Sequence, residues 1–232
     1  MIVSIHQPNY LPWLGYFRKI LQSEIFVFFD NVQMPMGKSY VTRCQVKSPS
    51  GAKWLTVPTP KLGSPSLISE TPYIQGPWLR KHLGSIKNWY PKSLWAASIC
   101  DIIESAEAMG FLSIARFNGF IIMEICQLLG AQHVKFVWAS DVCPEAVGAE
   151  SILPILLELH ASDYITGTGS GSKRYLDSEV LESHNIKTSY LDNDFPEHGQ
   201  LHGEFISGLS IIDAILNLGP ESTRAILEMN PE

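Results

Sequence analysis

Short apolar runs and an amphipathic stretch alternate at the start of the chain. Residues 2–5 and 25–29 form nearly continuous apolar runs, and residues 13–21 between them have an apolar face. Continuous apolar runs are typical of parallel strands that are buried on both faces. A strand, a helix and a second strand within so short a segment predict a compact βαβ unit.

The pattern changes after this unit. Two β-rich runs, at residues 39–46 and 53–57, are separated by a segment that contains Pro and Gly. This arrangement predicts a hairpin. Residues 62–73 are rich in Ser, Pro and Gly, and we expect a surface loop there.

The segment at residues 77–129 has apolar positions at helical spacing. Breaks at Pro91 and Gly110 divide it into three predicted helices. The third has the most continuous apolar face, which predicts core packing. The same face leaves open a contribution to a homodimer contact.

The α/β pattern then returns. The predicted elements are strands at residues 134–138, 164–166 and 187–191, and helices at residues 145–160, 176–184, 209–217 and 220–228. Because strands and helices alternate at both ends of the chain, we predict an α/β fold with a doubly wound, mostly parallel sheet, a helical middle segment and C-terminal helices. We expect a single domain over residues 1–232, with residues 77–130 as a mainly helical insert.

Composition excludes several classes of protein. Of 232 residues, 45% are apolar and 17% are charged, which allows a sizeable core and disfavours disorder. The net charge of −6 and the absence of a basic run argue against a nucleic-acid partner. No apolar stretch reaches the ~18 residues of a membrane span, and the first residues do not form a signal peptide. The four cysteines form no CxxC pair, so a cytoplasmic setting is the simplest.

Polar and aromatic residues crowd the loop after the first predicted strand. Ligands of open parallel sheets bind at the carboxyl ends of the strands. The candidates here are His6, Gln7 and Asn9 as catalytic residues, and Tyr10, Trp13, Gly15 and Tyr16 as substrate-binding residues. A histidine can take or give a proton near neutral pH, and the rings can stack on a base or a sugar. A buried His–Gln pair that ties down the first strand is the structural alternative.

A second polar cluster follows the second predicted strand. It contains Asp30 as a residue that orients the substrate in catalysis, with Gln33, Lys38 and Arg43 as substrate-binding residues. Arg43 is the best anchor for a carboxylate or phosphate in this cluster, because a guanidinium binds such groups with two parallel hydrogen bonds. A solvated hairpin face would contain the same residues.

A third candidate is a Gly/Ser-rich loop between a predicted strand and a predicted helix. Its residues are Gly167, Gly169, Ser170, Gly171, Lys173, Arg174 and Tyr175. Glycines let backbone N–H groups approach an anion, and the two cations would add charged hydrogen bonds, so the loop predicts phosphate or carboxylate binding. The spacing fits neither a Walker A loop nor a dinucleotide fingerprint, and a flexible loop is the alternative.

His198 and His202 have a spacing that occurs in metal sites. Pro196 and Gly199 interrupt any regular helix there, so we predict a polar loop and no metal site. No serine elbow is present, and no cysteine has a base beside it in the sequence.

The segment from Ile5 to Phe17 resembles the opening signature of the WbqC-like protein family. Three later stretches, which begin at Phe28, Gly167 and Leu209, agree with this resemblance. The family is bacterial and often occurs in gene clusters for O-antigen or other surface polysaccharides. The resemblance implies that setting and leaves the reaction open.

The position of Trp13 to Tyr16, just after the first strand, also resembles that of the HxGH motif in a superfamily of nucleotidyltransferases. Both histidines of that motif are missing here, and His6 lies upstream of their place. This resemblance therefore implies the fold and not the reaction.

Three functions remain. The first is a transferase for an amino-sugar or nucleotide-sugar precursor of surface polysaccharide, which moves an acyl or aminoacyl group with His6 as general base. The second is a nucleotidyltransferase or ATP-dependent ligase with altered motifs, which would use a nucleotide, as ATP or a nucleotide-sugar, with magnesium. The third is a non-catalytic ligand-binding protein of the same fold. In each case the expected partner is a small molecule.

Overall fold

Seven strands and nine helices make up the described part of the chain. The computed structural model describes residues 1–61, 66–168 and 178–229. The strands are β1 (Ile2–His6), β2 (Ile25–Phe28), β3 (Arg43–Ser48), β4 (Gly51–Thr56), β5 (Lys135–Trp138), β6 (Asp163–Gly167) and β7 (Lys187–Leu191). The helices are α1 (Leu14–Leu21), α2 (Trp78–Trp89), α3 (Ala96–Ala108), α4 (Ile114–Leu128), α5 (Ala139–Val142), α6 (Ile152–Glu158), α7 (Ser178–Ser183), α8 (Ile211–Leu218) and α9 (Pro220–Glu228).

Five of these strands form a parallel sheet in the order β5-β2-β1-β6-β7. The chain first builds the sheet outward from β1 through β2 to β5, and then returns to the other side of β1 for β6 and β7. The strand order therefore reverses between β1 and β6, which is the place where open sheets of this kind bind ligands. The predicted α/β fold with a parallel sheet is confirmed.

The central strands are covered on both faces. Val3, Phe26, Val27 and Phe28 are fully buried, as expected for parallel strands between two layers of helices. The predicted βαβ unit is present as β1, α1 and β2.

The middle of the chain follows the predicted helical pattern. Helices α2, α3 and α4 are separated near Pro91 and Gly110, as expected. The apolar face of α4 is buried within the chain, since Ile114, Ile121 and Ile125 have no exposed surface. This helix face therefore packs in the core and gives no support to a homodimer contact, which stays a prediction. None of the described helices is long and apolar enough to cross a membrane.

Two predicted boundaries are wrong. The hairpin exists, but its strands β3 and β4 turn at Pro49 and Ser50 and pair from Arg43 with Thr56 to Ser48 with Gly51. The helix predicted from residue 145 begins instead as a 3-10 turn at Gly148–Ser151 and continues as α6. Gly148 has a φ of 74°, so a continuous right-handed α-helix from residue 145 cannot run through it.

Candidate functional site

A cavity of about 690 Å³ lies at the carboxyl ends of the central strands. Its walls come from the ends of β1 and β6, one face of α1, and the segments that follow β2 and β7. The volume is in the range of small-molecule sites. The cavity occupies the switch point of the sheet, where the topology favours a ligand site.

His6, the last residue of β1, is half-buried on the cavity wall. Its Nδ1–H donates to the backbone carbonyl of Gln7 at 3.2 Å, because a carbonyl can only accept. The Nε2 atom is then the acceptor nitrogen of the ring. The ring packs edge-on against Tyr16 and Trp13, with centroids 4.7 and 5.7 Å away.

Burial, together with the positive charge of Lys19, lowers the pKa of His6 to about 3. At neutral pH the side chain is therefore an uncharged imidazole with an acceptor nitrogen. A negative charge in the cavity would raise this pKa, because it stabilises the imidazolium form.

Lys19 is a site residue that the sequence analysis missed. It lies on α1, is only 5% exposed and lines the cavity. Among the residues that the structure describes, no side chain or carbonyl pairs with its ammonium group. Burial lowers its pKa to about 8, so it keeps its charge at neutral pH.

The described lining of the cavity contains no carboxylate. Besides His6 and Lys19, its polar side chains include Gln7, Gln33 and Thr166. The electrostatic balance of this lining is positive and favours an anionic ligand. It offers no carboxylate ligand to a magnesium ion, so we derive no step through that ion.

The loop after β1 is held by contacts from distant parts of the chain. The Asn118 amide donates to the carbonyls of Pro8 and Val41 at 2.8 Å each. The Ser210 hydroxyl donates to the carbonyl of Leu11 at 2.6 Å. Leu11 itself has a φ of 43°, a conformation that costs free energy for a branched side chain and persists only where the surroundings impose it. These contacts fix the start of α1 relative to the end of β1.

The structure brings part of the predicted first cluster to the cavity. The residues that line it are His6, Gln7, Trp13, Gly15 and Tyr16. Asn9 and Tyr10 do not line it. Tyr10 is fully buried, and its hydroxyl bonds with His82 Nδ1 at 3.0 Å while its ring stacks on Phe117. The proposed catalytic and stacking roles of these two residues therefore have no geometric support.

Asp30 bonds to another segment of the chain and does not line the cavity. Its carboxylate accepts from the backbone N–H of Ser140 at 3.0 Å and from the Ser140 hydroxyl at 2.8 Å. It thus fixes the start of α5 to the end of β2. Burial raises the pKa of Asp30, and the bonds from Ser140 oppose that rise. The predicted orienting role of Asp30 stays a prediction, without support from these contacts.

Of the other three residues in the second predicted cluster, one lines the cavity and two do not. Gln33 lines the cavity. Lys38 is exposed and does not line it. The Arg43 guanidinium lies 3.8 Å over the ring of Trp54 on the hairpin, so it is not an anchor in the cavity. The two predicted clusters therefore do not meet as completely as expected.

The predicted anion loop is described only at its start. Gly167 lines the cavity. The other predicted members lie outside the described residues: Gly169, Ser170, Gly171, Lys173, Arg174 and Tyr175. Their proposed role stays a prediction.

His198 and His202 bond to different backbone carbonyls. His202 Nε2 donates to Trp89 at 2.7 Å, and His198 Nδ1 donates to Pro196 at 3.4 Å. Within residues 1–61, 66–168 and 178–229, no group of three or more His, Cys, Asp or Glu side chains is placed to hold a metal ion.

Comparisons with known proteins agree with the sequence resemblance. A curated protein of Mycobacterium tuberculosis, the uncharacterised protein Rv1507c, is 26% identical over 224 residues, with 95% of each chain covered. No solved structure gives a significant match, so the likeness to nucleotidyltransferase folds stays a prediction. The family model described as the WbqC-like protein family matches residues 7–225. Since this match spans nearly the whole chain, the protein belongs to the WbqC-like family.

Proposed function

We propose that this protein is a cytoplasmic transferase that moves an acyl or aminoacyl group onto a phosphate-bearing amino sugar, such as a nucleotide-linked sugar. The observation that carries the proposal is the neutral imidazole of His6 on the wall of a positively charged cavity. The setting that the family resemblance suggests, the synthesis of bacterial surface polysaccharide, supplies substrates of this class.

The proposed chemistry uses the two nitrogens of the His6 ring in different ways. Its Nδ1–H is held by the Gln7 carbonyl, so Nε2 accepts the proton of the attacking amine or hydroxyl. The nucleophile forms a bond to the acyl carbon, the bond from that carbon to its leaving group breaks, and the leaving group receives the proton from His6.

A pKa of about 3 makes His6 a weak base when no anion lies beside it. A phosphate group beside the ring would raise that pKa toward the range in which a general base is effective. The proposal therefore requires an anionic substrate, and the carboxylate-free lining described above fits that requirement.

The walls fit a sugar linked to a base. Trp13, Tyr16 and Tyr164 supply aromatic surface, and Gln7 and Gln33 supply hydrogen-bonding groups. A mixture of apolar surface with a few polar groups is usual in sites that bury a small molecule.

The test is a turnover assay with purified protein. UDP- and dTDP-linked amino sugars are each combined with coenzyme A thioesters, or with ATP and magnesium plus an amino acid, and sugar products are identified by mass spectrometry. We expect an acylated or aminoacylated sugar from wild type, and at least a 100-fold lower rate from His6→Gln. His184→Gln, an exposed histidine on the surface, is the matched control and should keep wild-type activity.

Equal activity of wild type and His6→Gln would contradict the role of His6. Tight binding of a nucleotide-sugar with no turnover in any combination would refute the transferase and leave a ligand-binding protein. A nucleotidyl product formed only with ATP would instead establish the second function.

A further inference from the structure

Helix α1 presents its amino terminus to the cavity. Its N-cap residue, Trp13, makes no side-chain capping bond, and its first turn contains no acidic residue. Trp13, Gly15 and Tyr16 all line the cavity. The partial positive charge of a helix amino terminus favours an anion at such a place.

Lys19 lies on the same face of this helix. Residues four positions apart share one face of a helix, and both Gly15 and Lys19 line the cavity. The space beside Gly15 is taken by the Asn193 side chain, since a Cβ on Gly15 would lie 1.8 Å from Asn193 Oδ1. The Lys19 charge lowers the pKa of the His6 ring, which packs against Trp13 and Tyr16 at the start of the helix. The ammonium group and the helix terminus therefore act on the same part of the cavity.

The Lys19 side chain is an unpartnered buried charge within the described structure. Lys19 is only 5% exposed and lines the cavity, and it has no counter-charge among the described residues. A buried ammonium normally has a partner, because leaving it without one destabilises the fold. A ligand anion would supply the missing partner.

We infer that Lys19 and the uncapped amino terminus of α1 form an anion subsite, which binds a phosphate or carboxylate group of the ligand beside His6. This subsite takes the cavity as the substrate site of the proposed function, but it does not depend on any reaction there. It also differs from the predicted loop around Gly167, because it is built from α1.

The test measures binding rather than turnover. Isothermal titration calorimetry compares UDP, inorganic sulfate and uridine on wild type, Lys19→Met and the exposed control Lys87→Met. We expect Lys19→Met to weaken UDP and sulfate at least 10-fold and to leave uridine within 2-fold. Lys87→Met should bind all three probes as wild type does.

The pH dependence identifies the charge that is responsible. The titratable side chains that line the described cavity are His6, Tyr16, Lys19 and Tyr164. Burial raises the pKa of both tyrosines, and His6 is already neutral, so Lys19 is the group in this set that loses charge between about pH 7 and 9.5. Sulfate keeps its charge over this range, so its affinity for wild type should fall, while Lys19→Met should show no such slope.

A second measurement covers the case in which Lys19→Met fails to fold. In wild type, the NMR titration of the His6 ring should move to higher pH when sulfate is added, because the anion binds beside the ring. Unchanged UDP and sulfate affinity in a folded Lys19→Met variant would overturn the subsite, even if the protein proves to be a transferase. The absence of any sulfate effect on His6, or of any UDP binding by wild type, would overturn it as well.

Discussion

Replacing Lys19 with methionine should stabilise the protein at neutral pH. Burial lowers the pKa of Lys19 from 10.5 to about 8. Each pKa unit corresponds to about 1.4 kcal/mol, so the buried charge costs the folded state about 3 kcal/mol below pH 8. Methionine has a similar length and no charge, so the variant should recover most of this free energy of unfolding.

The sign of the pH dependence follows from the same shift. Between pH 8 and 10.5 the unfolded chain keeps the Lys19 proton while the folded chain has released it. The stability of wild type therefore rises with pH in this window. The difference between Lys19→Met and wild type should shrink from about 3 kcal/mol at pH 7 to less than about 1 kcal/mol at pH 10.

Urea denaturation at the two pH values measures this difference by linear extrapolation. Lys87→Met, at an exposed position on α2, should change stability by less than about 0.5 kcal/mol at either pH. A Lys19→Met variant that is no more stable than wild type at pH 7, or whose gain in stability is the same at pH 10, would refute a buried, unpaired charge at this position.

Three further predictions concern the framework of the site. Because the folded pKa of His6 is about 3, well below its ordinary value of 6.5, the free energy of unfolding of wild type should fall by about 5 kcal/mol as the pH drops through this window, and urea titrations of His6→Gln should show a flatter acid limb. Asn118→Leu should lower the free energy of unfolding by about 3 kcal/mol, because it leaves the buried carbonyls of Pro8 and Val41 without their donor; a loss below 1 kcal/mol would contradict this account. Arg18 donates to five backbone carbonyls, two in the segment after β7 and three at the end of α9, so Arg18→Met should lower the free energy of unfolding by about 3–5 kcal/mol in urea denaturation, and wild-type stability in that variant would rule out this anchoring role.

The positions at which the central strands end can be predicted from the sequence, because these strands are buried on both faces. A short, continuous apolar run between turn residues favours a central strand, and this places His6 and Gln7 at its carboxyl end. A glycine with a positive φ can end or delay an element that the apolar spacing predicts. The backbone of Gly148 interrupts a stretch whose apolar spacing otherwise predicts helix.

The site residues could not all be predicted, because contacts between distant segments decide which way a side chain points. Asp30 turns away from the cavity because Ser140, far along the chain, supplies two donors. Tyr10 turns inward because His82 and Phe117 pack against it. No local pattern contains this information.

Lys19 is the opposite case, because it lines the cavity although it was not predicted as a site residue. A lysine in an amphipathic helix is normally solvated, so its pattern gives no reason to place it in a site. Its spacing of four from Gly15, which places both residues on one face of α1, is the sequence signal that indicates it. That signal gains meaning only when the helix is seen to be buried along most of its length.

We propose the cavity at the strand ends as the binding site of an anionic small molecule. The most direct measurement is calorimetric binding of UDP-linked amino sugars to wild type and to Ala149→Trp, which fills the cavity from its lining, with Leu112→Trp at a 91% exposed position as control. We predict one-to-one binding of at least one of these sugars to wild type and to Leu112→Trp, and its loss in a folded Ala149→Trp. Equal binding by wild type and folded Ala149→Trp, or no binding by wild type, would contradict the account.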